Sequence, residues 1–299
     1  LTPVQSAVPA LLEGLTCDMV GNDVMLHATA ARLLRLFATE DTNGAVTHLL
    51  LSETNLVSGL LQGIVQMDLV LIESPETTRQ QFEIATQNLS LLSVMVTTTE
   101  GAMMALDLSL FGWINHCPLI HAIREDGASV LNLLQREDAK HVLRVILKWF
   151  LQIMLSVEIT VRAIRSVQVE LSSFVLAIAP LTPFLFRTRE SEELLSLEVL
   201  GLFLGALVVL SSQPERFVEM MNGYEDVLKT EVVSLLNYVS KQEEVCNDIQ
   251  RAVKRRKSLK KQSNRTELYR ILVENSMLFM SKMGWKIGDE YLRAFGVKS

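Results

Sequence analysis

Apolar residues recur at helical spacing along most of the chain, and this pattern limits the fold more than any other feature. No stretch alternates apolar and polar residues for long enough to indicate a half-buried strand. The 14 glycines and 7 prolines among 299 residues are few for an all-β or loop-rich protein. With 49% hydrophobic residues, the chain has ample side chains to bury. The pattern predicts an all-α fold of about a dozen helices joined by short connections.

Start and stop signals place several of these helices. Ser74-Pro75-Glu76 predicts a helix start, because it offers a cap, a proline at the first helical position and an acid near the positive helix end. Two long helices are predicted at about 137–156 and 158–177. Pro180 and Pro183 are predicted to stop the second of them, since proline lacks the backbone donor that a helix interior needs.

Charge and cysteine content limit the environment and the partners. The net charge of −6 disfavours a general nucleic-acid binder, which would carry a basic domain. Cys17, Cys117 and Cys246 form neither a disulfide framework nor a zinc-binding pair, so we expect a reducing compartment, nucleus or cytoplasm. The first residue is Leu1 and no signal-peptide pattern follows it, which we interpret as a segment of a larger protein.

The most apolar runs raise the question of a membrane. Leu194–Leu210 has 17 residues and contains Glu198, whereas a spanning helix needs roughly 20 apolar residues with few charges. The run Val142–Val157 contains Arg144 and Lys148. We interpret both as central helices of a large helical core, and membrane insertion is the less favoured alternative.

One phrase recurs along the chain: a long apolar helix, a small polar break, a short helix and a second long helix. It occurs at residues 28–64, 85–114 and 198–236, and a weaker relative begins at residue 142. The starts at 28, 85, 142 and 198 are 56 or 57 residues apart. Such a period is typical of stacked helical arrays, which bury a continuous core between neighbouring repeats, although a helix bundle also fits the helix pattern.

The string A-T-Q-N-L-S at 85–90, followed by Glu100-Gly101, resembles the third-helix signature of an armadillo-like repeat. The resemblance extends over roughly residues 28–240 and implies a divergent armadillo/HEAT-like, right-handed solenoid. In that family an asparagine on the third helix often lines the concave groove and binds an extended peptide. Asn88 matches this position, whereas Arg32 and Ala206 stand at the equivalent places. A simple peptide-binding row of asparagines is therefore not expected.

No pattern predicts catalysis, a cofactor or a metal site. The densest set of potential ligands is His116, Cys117 and His121, but the two histidines are five residues apart with Pro118 between them. Tetrahedral zinc needs four ligands at defined spacing, so we interpret this cluster as a helix-to-helix corner. Glycine-rich phosphate loops and the HExxH motif are absent from the sequence.

A basic segment stands out in this acidic chain. We interpret it as a nuclear localisation signal or a binding patch for an acidic partner, with a solvated loop as the structural alternative. Nucleic-acid binding is disfavoured because no aromatic residues interleave the cations. Ser258 follows Arg-Arg-Lys and is a candidate phosphorylation site, where a phosphate would weaken such a contact. The predicted partner-binding cations are Lys254, Arg255, Arg256, Lys257, Lys260, Lys261 and Arg265.

These observations predict three regions: an armadillo-like helical repeat domain at 1–253, a basic loop at 254–265 and a C-terminal helical cap at 266–299. The predicted function is a non-catalytic protein–protein interaction scaffold or adaptor within a larger intracellular, nuclear assembly. One alternative is a nuclear-transport or cargo-peptide recognition module that would use Asn88. A second alternative is a membrane-associated helical protein, and this alternative is based on the apolar runs.

Overall fold

The computed structural model describes residues 3–20, 24–40, 45–52, 54–161, 165–187, 193–221, 223–255 and 264–296. Every regular element among these residues is helical, which confirms the all-α prediction. The chain divides into two compact units, Leu1–Ala177 and Ile178–Ser299. Each unit has its own core and is described by itself.

The described residues form more helices than the dozen that the sequence predicts, so that count is wrong. Several of these helices have only four to nine residues. Unit 1 contains α1 Pro3–Val20, α2 Val24–Glu40, α3 Ala45–Ser52, α4 Thr54–Val65, α5 Val70–Glu73, α6 Arg79–Met95, α7 Thr99–Asp107, α8 Leu110–Asn115, α9 Pro118–Glu125, α10 Gly127–Leu133, α11 Glu137–Thr160 and α12 Arg165–Ile178, whose last residue begins the second unit. Unit 2 contains a 3-10 turn Ala179–Leu181, α13 Thr182–Arg187, α14 Leu194–Leu210, α15 Pro214–Met221, α16 Tyr224–Ser240, α17 Glu243–Arg255, α18 Asn264–Lys282 and α19 Asp289–Ala294.

The core of unit 1 lies around α6 and α11, which pack on each other. Helices α2 and α4 cover further sides of α6, and α5 and α7 contact α11. Phe150 of α11 and Phe174 of α12 meet edge to face, with ring centroids 6.1 Å apart. Burying a side chain of this kind contributes roughly 1.5–3 kcal/mol, so the middle of α11 is a main source of stability for the unit.

The turn before α7 shows why the sequence folds as it does there. The Thr98 hydroxyl accepts a hydrogen bond from the backbone N–H of Gly101 at 3.1 Å and thereby caps the helix. A Cβ atom on Gly101 would lie 2.1 Å from the carbonyl oxygen of Met95, so only glycine fits at this position. The break between α6 and α7 lies at residues 96–98, and Gly101 belongs to the first turn of α7.

The end of α12 and the positions of the prolines that follow it are close to the prediction. Helix α12 ends at Ile178, Pro180 lies in the 3-10 turn, and Pro183 is the second residue of α13. The predicted start at Pro75 is displaced, because a hydrogen-bonded turn precedes α6 at Arg79. The predicted boundary near residue 157 is also wrong, since α11 continues to Thr160.

The core of unit 2 is built on α14 and α18, which lie against each other along their length. The two helices are close at Gly201, where a Cβ atom would make ordinary contacts with Ile271 and Leu272 at 3.7 Å. Phe186 and Phe203 also meet edge to face, with centroids 6.4 Å apart. The residues assigned to a separate C-terminal cap at 266–299 thus include a helix that packs directly on α14, in the same unit.

Candidate functional site

A cleft of about 440 Å³ opens in unit 1 between the α7–α8 turn and the start of α12. We call it the acidic cleft, because its charged lining residues are both carboxylates. Its polar lining residues are Asp107, Ser109, Ser166 and Glu170. Its apolar lining residues are Met103, Leu106, Leu110, Phe111 and Val167, with Gly112 between them. The cleft therefore combines an apolar wall with negative charge.

The α7–α8 turn gives the cleft its shape. Ser109 has a φ of 60° and is the non-glycine residue with positive φ among the described residues. An L-residue pays roughly 1–2 kcal/mol for this left-handed conformation. The neighbouring backbone is held in place, because the indole N–H of Trp113 donates to the carbonyl oxygen of Leu108 at 3.0 Å. A non-glycine residue in a strained turn beside a cleft is more typical of functional sites than of ordinary loops.

The two carboxylates of the acidic cleft have different surroundings. Asp107 is the last residue of α7, at the negative end of the helix dipole, where cations are the favoured side chains. Its carboxylate makes no hydrogen bond or ion pair within the described part of the chain. Glu170 is instead held by Asn115, whose amide nitrogen donates to a Glu170 carboxylate oxygen at 2.8 Å.

Asn115 lies behind the cleft and is 4% exposed. Its amide nitrogen also approaches the backbone oxygen of Glu170 at 3.3 Å. Its buried side-chain oxygen has no hydrogen-bond partner among the described atoms. A buried polar atom without a partner costs about 1–3 kcal/mol, so the interaction with Glu170 is maintained at some expense.

A second surface feature lies on the first two helices of unit 1. Helix α2 exposes four large apolar side chains within an arc of roughly 100°, at 100° per residue. The opposite side of α2, which faces the core, is formed largely by alanines. We call the exposed set, with its α1 neighbour, the α1–α2 apolar face: Leu11 (50% exposed), Met25 (74%), Leu26 (52%), Leu33 (38%) and Leu36 (53%).

Between the buried and exposed sides of α2, polar groups join it to α6. Arg32 pairs with Glu83, and Arg35 donates to the Ser90 hydroxyl. His27 Nε2 and Asn88 Oδ1 are 2.8 Å apart. These contacts hold α2 on α6 so that its large apolar residues face outward.

This geometry places Asn88, the asparagine predicted to bind a partner. It is 5% exposed, and its side chain is occupied by His27. Its amide nitrogen also lies beside Gly63 of α4, 3.4 Å from where a Cβ atom would stand. Peptide binding by Asn88 stays a prediction, and it would require the contact with His27 to open.

The predicted basic segment is only partly described. Lys254 and Arg255 belong to the end of α17, but their side chains lie outside the described atoms. Arg256, Lys257, Ser258, Lys260 and Lys261 lie outside the described residues. Arg265 lies over the ring of Tyr269, with its guanidinium carbon 5.7 Å from the ring centroid. The structure thus assigns a packing contact to Arg265, and the partner-binding role of the segment stays a prediction.

The His116–His121 corner joins α8 and α9. Cys117 is fully buried, and its thiol donates to the backbone oxygen of Met67 at 3.2 Å. Burial raises the pKa of the Cys117 thiol to about 11. Within the described ranges, no group of three or more His, Cys, Asp or Glu side chains is arranged to hold a metal ion.

One helical stretch, Ser166–Arg187, is long and apolar enough to cross a membrane by length and composition. In this structure 61% of its tested window is buried within the protein. A core helix of a soluble protein passes the same test, so the stretch is weak evidence for a membrane span. The shorter apolar helices are Leu56–Val65 and Leu194–Leu210.

Sequence reasoning missed both the acidic cleft and the α1–α2 apolar face. The face had a readable signal, because α2 carries apolar residues around most of its circumference. The cleft had none, because its residues come from separate elements and its turn uses serine where glycine would be expected.

Comparison with known proteins identifies no relative. No protein-family model matches the chain, and neither a curated protein nor a solved structure matches it significantly.

Proposed function

We propose that this protein is a non-catalytic interaction scaffold or adaptor, an armadillo/HEAT-like α-solenoid that works within a larger nuclear or cytoplasmic assembly. The observation that carries the proposal is the α1–α2 apolar face. The recurrent helical phrase with its 56–57-residue spacing supports the solenoid arrangement. The occupant of the face is an apolar helix of another protein subunit.

The distribution of side chains on α2 argues for such an occupant. A surface helix normally turns its large apolar residues inward and its polar residues to water. Helix α2 departs from this pattern: apart from Leu34 its buried residues are alanines, while Met25 and Leu36 are more than half exposed. Clustered large apolar side chains on a surface mark interaction sites, whereas scattered ones need no explanation.

The test is affinity purification of the tagged protein from cells, with quantitative mass spectrometry. Leu33→Glu/Leu36→Glu places two charges on the α1–α2 apolar face. We expect specific partners to fall at least about tenfold, because a buried unpaired carboxylate costs more than 1.4 kcal/mol. Val218→Glu/Val227→Glu is the matched control, since both valines are 39% exposed and lie in unit 2.

Circular-dichroism melting of both double variants shows whether they remain folded. An unchanged set of partners for Leu33→Glu/Leu36→Glu would contradict the proposal. Light scattering separates a different subunit from a second copy, because only the latter changes the mass of the purified protein. Small-angle scattering tests the solenoid itself, since a compact particle would exclude an extended helical array.

A further inference from the structure

We propose that the acidic cleft binds a guanidinium or alkylammonium group carried on an apolar stem, which is the chemistry of an arginine or lysine side chain. This inference concerns α7, α8 and α12 and does not depend on the α1–α2 apolar face.

The charge of the cleft calls for a cation. Its described lining residues include two carboxylates and no basic side chain, while the side chains of Arg162 and Arg165, close to Ser166 in the chain, lie outside the described atoms. Asp107 stands at the negative end of α7, where a carboxylate is disfavoured and a cation favoured. Asp107 is exposed, and its carboxylate makes no hydrogen bond or ion pair with the described residues, so it has no compensation beyond that of solvent. A bound cation would supply that compensation.

The second carboxylate is positioned by a buried residue. Asn115, 4% exposed, donates to Glu170 at 2.8 Å and leaves its own side-chain oxygen without a partner in the described structure. A solvated glutamate on a helix surface needs no such support. This arrangement instead resembles a binding site, where buried neighbours lock the orientation of the contacting group.

The apolar wall and the size of the cleft define the rest of the ligand. Leu106 and Phe111 line the cleft beside the carboxylates, so a methylene stem can pack there while its charged head reaches the acids. The volume of about 440 Å³ lies in the lower part of the range for small-ligand sites. A planar guanidinium forms paired hydrogen bonds with a carboxylate, which favours arginine over lysine.

The test uses N-acetylarginine amide as the probe, followed by ¹⁵N–¹H NMR of the tryptophan indole groups. The protein has three tryptophans, and Trp113 donates to Leu108 beside the cleft, so its indole signal is the reporter. Trp113→Phe assigns that signal. Asp107→Asn and Glu170→Gln each remove one charge, and Glu76→Gln removes one from an exposed position elsewhere in unit 1. Circular-dichroism melting verifies that the variants are folded.

We expect the probe to shift the Trp113 signal, and each cleft variant to weaken binding at least about tenfold. Glu76→Gln should bind as the unaltered protein does. N-acetylcitrulline amide, which lacks the charge, and guanidinium chloride, which lacks the stem, should both bind at least about tenfold more weakly. Equal binding of citrulline and arginine, unaltered binding by both cleft variants, or no shift at the highest soluble probe concentration would each overturn the proposal.

A further arm distinguishes the source of the cation. A short peptide with one internal arginine is compared with N-acetylarginine amide and with butylguanidine. Tighter binding of the peptide identifies a protein partner, and equal binding of all three identifies a free small molecule. Both results support the proposed chemistry. The partners lost from Leu33→Glu/Leu36→Glu are measured separately, so failure here leaves the scaffold proposal standing.

Discussion

Helices α2 and α14 are each 17 residues long and rich in apolar side chains, but they are covered to different extents. In unit 2, α18 lies along α14, and residues such as Leu200, Phe203 and Leu204 are fully buried. In unit 1, α2 packs on α1 and α6 and buries its alanines and Leu34, but it leaves four large apolar side chains in solvent. Composition alone therefore does not decide whether a helix is buried.

Thiol labelling gives the largest expected difference between covered and open regions. Cys17 on α1 is exposed, whereas Cys246 in unit 2 is 7% exposed, and its thiol lies 3.3 Å from the backbone oxygen of Val239. Burial also raises the pKa of Cys246, which lowers its thiolate fraction. We expect Cys17 to react with a disulfide reagent roughly a hundredfold faster or more, since Cys246 must await local opening. Mass spectrometry after timed quenching measures both rates.

Comparable labelling rates for Cys17 and Cys246 would contradict the burial of Cys246 in unit 2. Cys117 supplies an internal control in unit 1, because it is fully buried and should be protected as Cys246 is. Its protection would show that the reactivity of Cys17 belongs to α1 and not to unit 1 as a whole.

Matched Leu→Ala substitutions give the next largest effect. Leu200 of α14 and Leu34 of α2 are both fully buried, so each substitution should lower the free energy of unfolding by about 2–5 kcal/mol. Leu36, on the exposed side of α2, should change it by no more than about 0.5 kcal/mol. Urea unfolding followed by circular dichroism measures all three. A cost for Leu36→Ala equal to that of Leu34→Ala would mean that the α1–α2 apolar face is covered in solution.

Gly201 tests how closely α18 covers α14. Alanine at this position makes only ordinary contacts with Ile271 and Leu272, so Gly201→Ala should raise the free energy of unfolding by about 0.5–1 kcal/mol through its better helix propensity. Gly201→Leu should lower it by about 1–3 kcal/mol, because the larger side chain forces the helices apart. Urea unfolding measures the change in the free energy of unfolding for both variants. A neutral Gly201→Leu variant would show that α18 is less tightly packed than described.

The smallest effect concerns the end of α14. Lys282 of α18 donates to the backbone oxygen of Val208 at 2.8 Å and lies 3.2 Å from the Ser212 hydroxyl. Lys282→Met removes this donor from the negative end of α14 and should cost about 1 kcal/mol. Lys286→Met, at an exposed position between α18 and α19, is the control. Equal thermal midpoints for the two variants would mean that Lys282 does not stabilise the end of α14.

The helical class of the fold followed from periodicity because that signal is repeated along the whole chain. Short helices were missed because segments such as α5, with four residues, are too short for periodicity to separate from their neighbours. The predicted helix start at Pro75 was also displaced, because Pro75 begins a turn and α6 begins only at Arg79. Such a signal marks a change of chain direction but does not fix the residue at which the next helix begins.

The acidic cleft was beyond prediction for a different reason. Asp107 and Glu170 are 63 positions apart in the sequence and meet only through the packing of α7, α8 and α12. The turn that shapes the cleft depends on the left-handed backbone of Ser109, and serine gives no sequence signal for that conformation. The basic segment illustrates the opposite case, because its charge is obvious in the sequence while most of its residues lie outside the described structure.

The order of α14 and α18 along the chain has a consequence during synthesis. Helix α14 ends at Leu210, and the helix that covers it begins only at Asn264, more than fifty residues later. At translation rates of about 5–20 residues per second, roughly 4–14 seconds pass between the synthesis of Leu210 and that of Lys282, the last residue of α18. For that interval the most apolar of the described helices is open to chaperones and to other nascent chains. Translation speed between codons 211 and 282 should therefore govern how much of the protein reaches its folded state.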